Sequence, residues 1–161
     1  MSTLGRFRKP GGFLQLLALI ETCDPTKQKN LLHLIGMEDP GWAHLVKMKV
    51  LTFERVLSWP VEVLMEITPP LPDNILATAF RMSEGLSIPG QPPLHEKWLK
   101  SLPSIKAKEI QGLARFQSLT PGEQSATVIK IIQTVRELET KGQIRFSNFD
   151  PALEVDMRIT A

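Results

Sequence analysis

A chain of 161 residues with 42% hydrophobic and 22% charged side chains has the apolar material for a core and the balance of an ordinary folded domain, which excludes wholesale disorder. Nineteen Lys and Arg against 17 Asp and Glu leave a formal charge of +2, thinner than the dense basic face of a dedicated DNA-binding domain. The single cysteine, Cys23, excludes an intrachain disulfide and suits a reducing cytoplasm.

In chain order, residues 1–10 carry the most basic stretch, Gly5-Arg6-Phe7-Arg8-Lys9, and read as a flexible, solvated N-terminus. Gly11-Gly12 marks the start of a helix with Leu14, Leu17, Leu19 and Ile20 as its apolar stripe. The apolar run 13–20 is interrupted by Gln15 and is too short to span a bilayer. No small-residue cleavage site follows it, so the expectation is a soluble cytoplasmic protein without direct membrane insertion. Asp24-Pro25 opens the next helix, because an Asp side chain accepts from free N–H groups and proline has none to lose at the first helical position. Leu31, Leu32, Leu34 and Ile35 supply its buried face, and Gly36 is the expected C-cap.

Asp39-Pro40 repeats the start signal. Ala43, Leu45, Val46, Val50, Phe53, Val56 and Leu57 follow as one long helix or as two joined near Val50. Ser58-Trp59-Pro60 breaks the pattern, 61–67 makes a short helix, and Asp73 is the expected cap of a helix over 74–84. Gly85, Pro89, Gly90, Pro92 and Pro93 make 86–93 the strongest internal linker candidate. Helices are then expected over 94–102 and 103–116. The longest starts at Thr120-Pro121, with Glu123 completing a capping box, and ends at Lys141-Gly142. Val128, Ile131, Ile132, Val135 and Leu138 form its apolar face. Residues 144–149 could be extended, and 150–161 form an irregular tail.

The fold class expected is therefore all-α: an armadillo-like stack of short helices followed by a small helical C-terminal subdomain. The expected layout is 11–57 as stacked helices, 58–85 as further helices, the linker, and 94–149 as the subdomain. Catalytic chemistry has no foothold. His33, His44 and His95 are scattered, with no zinc spacing, and there is no phosphate loop, dinucleotide fingerprint or nucleophile elbow. No catalytic, cofactor or metal residues are assigned. Trp42, Trp59 and Trp98 lie in apolar helical contexts and read as core, so no nucleic-acid stacking platform is expected.

Four segments in series carry a family resemblance. Gly11-Gly12 precedes a helix; Asp24-Pro25-Thr26-Lys27-Gln28-Lys29 opens the next; then come Glu38-Asp39-Pro40-Gly41-Trp42-Ala43 and Val50-Leu51-Thr52-Phe53-Glu54-Arg55-Val56. This order resembles the end of the middle domain of FliG, the flagellar motor switch protein, running into that family's Met-Phe-x-Phe hinge. Ala79-Phe80-Arg81-Met82, Glu96-Lys97-Trp98-Leu99, the stretch 106–115, Val135-Arg136-Glu137-Leu138 and Gly142-Gln143-Ile144 continue it in family order. The resemblance implies a hinge at Val50, Leu51, Thr52 and Phe53, and stator-facing charges at Arg81, Lys106, Lys108 and Glu109. It implies a rotor or switch component acting in motility and chemotaxis at the inner face of the cell membrane. The implied partners are a MotA-like stator, a FliM-like switch protein or other FliG copies, with self-association possible and no cofactor. Two family features are missing from these residues: the Glu-His-Pro-Gln motif that contacts FliM, and the acidic pair of the torque helix, where 104–113 offers only Lys106, Lys108 and Glu109. Gly112 in that stretch also costs about 1 kcal/mol of helix propensity. A helical adaptor without a torque role is the alternative, and a nucleic-acid-binding helical domain using Arg6, Arg8, Lys9 and Lys49 a more distant one.

Overall fold

The computed structural model describes residues 4–155. Residues 1–3 of the expected basic end and 156–161 of the expected tail lie outside them. Among the described residues there are nine α-helices, three short 3-10 helices and no strand, so the all-α expectation holds. The helices are α1 (Gly12–Glu21), α2 (Pro25–Glu38), α3 (Pro40–Lys49), α4 (Phe53–Leu57), α5 (Val61–Ile67), α6 (Asp73–Glu84), α7 (Leu94–Lys100), α8 (Ser104–Ala114) and α9 (Pro121–Thr140). The chain divides into two compact units, passing from the first to the second between Leu51 and Thr52 and returning between Arg145 and Phe146.

The first unit holds α1–α3. Asp24 Oδ1 accepts from the Lys27 N–H at 2.9 Å, and Asp39 Oδ1 from the Trp42 N–H at 3.1 Å, each directly before a helix-opening proline. Phe13, Leu16, Leu17 and Ile20, spaced i, i+3, i+4, i+7, bury the face of α1 against Ile35, Trp42, Ala43 and Val46. The buried stripe is rotated from the expected one: Leu14 and Leu34 face solvent, while Phe13 packs edge-on to Trp42 with ring centroids 5.4 Å apart. Gly36 does not end α2. The helix continues to Glu38, where Asp39 turns extended and starts α3, because a capping Asp followed by proline stops one helix while opening the next.

The basic end is not a solvated tail over its described residues. Leu4, which precedes a 3-10 turn (Gly5–Phe7) laid against α1, is fully buried, and Phe7 within the turn nearly so. Arg8 pairs with Asp39 at 2.6 Å and stacks 4.7 Å above the Trp42 ring, so its charge is spent inside the unit. The Asp39 carboxyl is held below its ordinary range, first by the Arg8 hydrogen bond and then by the Trp42 N–H. A Cβ at Gly12 would collide with the Phe7 backbone carbonyl, so only glycine lets this turn close on α1.

The second unit is built around α6, which packs on α7, α8 and α9. Trp59 and Trp98 are buried, and the Trp98 Nε1–H donates to the Leu76 carbonyl at 3.1 Å. Asp73 does not cap α6. Pro72 takes the cap position, and Asp73 begins the helix, where its carboxylate meets the positive dipole end. Residues 86–93 connect α6 to α7 inside this unit. The Thr120 hydroxyl accepts from the Glu123 N–H, and α9 closes at Gly142, φ +76°. There Gln143 N–H returns to the Leu138 carbonyl and Gly142 N–H to that of Glu139, a Schellman closure. Residues 144–149 are not extended. The first unit resumes at Phe146 with a 3-10 turn (Phe146–Asn148), Phe146 and Leu153 buried, and a second turn (Pro151–Leu153) pinned by Lys49 Nζ donating to the Ala152 and Glu154 carbonyls.

Candidate functional site: the 50–53 segment and the charges of α6 and α8

Each half of the 50–53 segment is anchored to its own unit. Val50 caps α3, its N–H returning to the Val46 carbonyl. Leu51 is buried, and its N–H donates to Glu21 Oε2 at 2.7 Å. Glu21 is itself buried at the end of α1, so this charge-assisted bond is shielded from water. Thr52 is the N-cap of α4 and accepts from the Arg55 N–H. Phe53 starts that helix, buried, with its ring edge-on to Trp98 at 6.3 Å. Both flanking residues are extended, Val50 at ψ 137° and Thr52 at ψ 159°, so helix stops at α3 and starts again at α4. The division of the chain at 51–52 falls inside the segment.

The four charges separate into two kinds. Arg81 on α6 is half-buried, and its guanidinium donates to the Gln117 carbonyl in the turn after α8. Lys106 on α8 forms an ion pair with Asp73 at the start of α6, and that hydrogen bond is the main reason its pKa is raised. Both cations therefore tie α6 to α8 and its following turn. Lys108 and Glu109 face solvent. Only Ile110 and Ala114 of α8 are buried, one helical turn apart, and Lys106, Ala107 and Leu113 are half-buried beside them, which leaves the opposite side of the helix on the surface. Its outward stripe runs Ile105, Lys108, Glu109 and Gly112, continued by Phe116 in the turn beyond. Ile105 and Phe116 are 76% and 85% exposed, so the charges sit between two apolar ends.

Two buried charged residues matter here to which the sequence assigned no role. Glu21 lies four residues after Leu17 on the buried stripe of α1, a position where an acid requires a partner. Lys97 lies on the stripe Leu94, Lys97, Trp98, Ser101, and is buried, its Nζ donating to the Leu57 carbonyl at 2.8 Å and to Gln91 Oε1 at 3.1 Å. Burial lowers its pKa, and Glu62 nearby works in the opposite direction. Among the described residues no group of three His, Cys, Asp or Glu could hold a metal, and no helix is long and apolar enough to cross a membrane.

These features define, over the described residues, an all-α chain of two helical units, with a doubly anchored extended segment at the first of its two crossings between them and a charged helix displayed on the second unit. A crystal structure of FliG (residues 86–343) from H. pylori has the same fold: TM-score 0.60 at 20% identity, covering 85% of this chain and 62% of that one. This chain thus spans less than two thirds of that structure. No protein-family model and no curated protein matches it.

Proposed function

We propose that this chain is a non-enzymatic, FliG-like component of a flagellar rotor, acting through protein–protein contacts in motility and rotation switching. The observation that carries the reading is the fold shared with FliG over most of the chain. Two further placements support it: the 50–53 segment spans the division between the units, and α8, the helix to which the sequence resemblance assigns the stator-facing charges, carries Lys108 and Glu109 on its outer side. In this reading the exposed pair meets complementary charges of a MotA-like stator. Such solvated contacts are individually weak, which suits partners that pass one another repeatedly. A FliM-like switch protein or FliG copies are the remaining partners, and the working place is the cytoplasmic face of the flagellar base. A fluorescent fusion tests this: it should form foci at flagellar bases and lose them when the rotor ring is absent. Diffuse fluorescence in cells with intact motors would reject it.

The second reading, a helical adaptor of the same fold without a torque role, is favoured by the engagement of Arg81 and Lys106 inside their own unit. It predicts foci at the flagellar base but normal torque in cells lacking the gene.

A further inference from the structure

The first unit carries an open groove between α2 and α3 of about 440 Å³, within the roughly 300–1,000 Å³ of clefts that hold ligands. Its floor is apolar, Leu32, Gly36 and Ala43, with Met37 at its edge. Gly36 presents no side chain to it. This glycine sits inside a helix, where it costs about 1 kcal/mol against alanine. Its fold does not need it: its φ is not positive, and a Cβ there would meet only the Ala43 Cβ, at an ordinary 3.8 Å. The missing side chain leaves room instead for one from outside. Met37, 74% exposed beside it, is the flexible, polarizable type of side chain that adapts to an incoming group.

The rim has one sign of charge. Lys29 on α2 and Lys47 on α3 line opposite walls, His33 adds an imidazole, and none of the described lining residues is acidic. A nucleic-acid backbone would satisfy the lysines but bring no hydrocarbon for the floor. An acidic amphipathic peptide satisfies both. We propose that the α2–α3 groove is a docking site for an acidic amphipathic segment of a partner protein, which inserts one large apolar side chain over Gly36 and sets flanking carboxylates against Lys29 and Lys47. The inference stands independently of the rotor reading.

The test is selection from a displayed library of random peptides of about 14 residues, four helical turns, on the intact chain. Selected peptides should share an apolar anchor with Asp or Glu one turn to either side. A fluorescein-labelled member should lose about tenfold or more in affinity on Gly36→Leu, which fills the groove, and on the double change Lys29→Glu with Lys47→Glu, the melting of both variants being checked in parallel. Binding should also weaken with salt. Selected peptides without carboxylates, or an enrichment equal on the Gly36→Leu chain, would overturn the proposal. So would self-association in sedimentation that Gly36→Leu abolishes, because the groove would then belong to a second copy.

Discussion

Removing the Glu21 carboxylate should loosen the first half of the 50–53 segment while leaving the second half in place. In Glu21→Ala the Leu51 N–H loses an acceptor at 2.7 Å and stays buried, since Leu51 is only 1% exposed. A hydrogen bond to a charged group contributes about 1.5–3 kcal/mol, and an orphaned buried donor costs about 1–3 kcal/mol. Taking about 2 kcal/mol for local opening, the Leu51 amide should exchange with solvent roughly 30-fold faster, since about 1.4 kcal/mol is tenfold. Glu21→Gln keeps an oxygen acceptor but no charge, so its effect should be smaller. Amide hydrogen exchange read residue by residue is the assay. Amides of the second unit, such as Val56 after the Thr52 cap, serve as internal controls. An unchanged Leu51 rate in Glu21→Ala, or equal acceleration throughout the second unit, would refute the separate anchoring of the two halves.

The buried ammonium of Lys97 makes a pH prediction. Its folded pKa is depressed below 10.5, so between the two values the unfolded chain binds more protons, and stability from this group rises with pH. Lys97→Met should cost about 1–2 kcal/mol near neutrality, through the lost donors to Leu57 and Gln91, and urea titrations should show the gap to the parent widening as pH climbs towards 10.5. Two glycines should behave oppositely in thermal melts. Gly12→Ala, driven into the Phe7 carbonyl, should lower Tm by about 4–8 °C, for about 2 kcal/mol, while Gly36→Ala should raise stability by up to about 1 kcal/mol. Among the charges, Arg81→Glu and Lys106→Glu should reduce both motility and stability, because each breaks a tie between α6 and α8 or its turn. Lys108→Glu should alter motility with stability unchanged to within about 0.5 kcal/mol, checked by denaturation beside a swimming assay.

The helical class and most helix starts were legible because local chemistry sets them. Asp24-Pro25, Asp39-Pro40 and Thr120-Pro121 each combine an acceptor side chain with a residue that has no N–H to satisfy, and each opens a helix in the structure. Gly142 was legible for the same reason, since a left-handed residue after a helix calls for glycine. What escaped depends on contacts distant in sequence. Arg8 is ordered by Asp39 and Trp42, 31 and 34 positions away, so its composition alone suggested a solvated end. The turns after Phe146 are held by packing with the first unit, notably Lys49, which no local pattern encodes. Of the candidate site, periodicity left 43–57 as one long helix or two joined near Val50, and the position of 50–53 came only from the family resemblance. The anchors on either side were not legible. Charge type alone could not separate Arg81 and Lys106, spent on intramolecular contacts, from Lys108 and Glu109, which face solvent.

The central claim, that this chain works in a flagellar rotor, is tested most directly by the torque of single motors. A bead attached to a filament should turn with markedly reduced torque in cells lacking the gene. The parent chain should restore it, and Lys108→Glu should restore it incompletely despite normal stability. Full torque and normal switching without the gene would contradict the account.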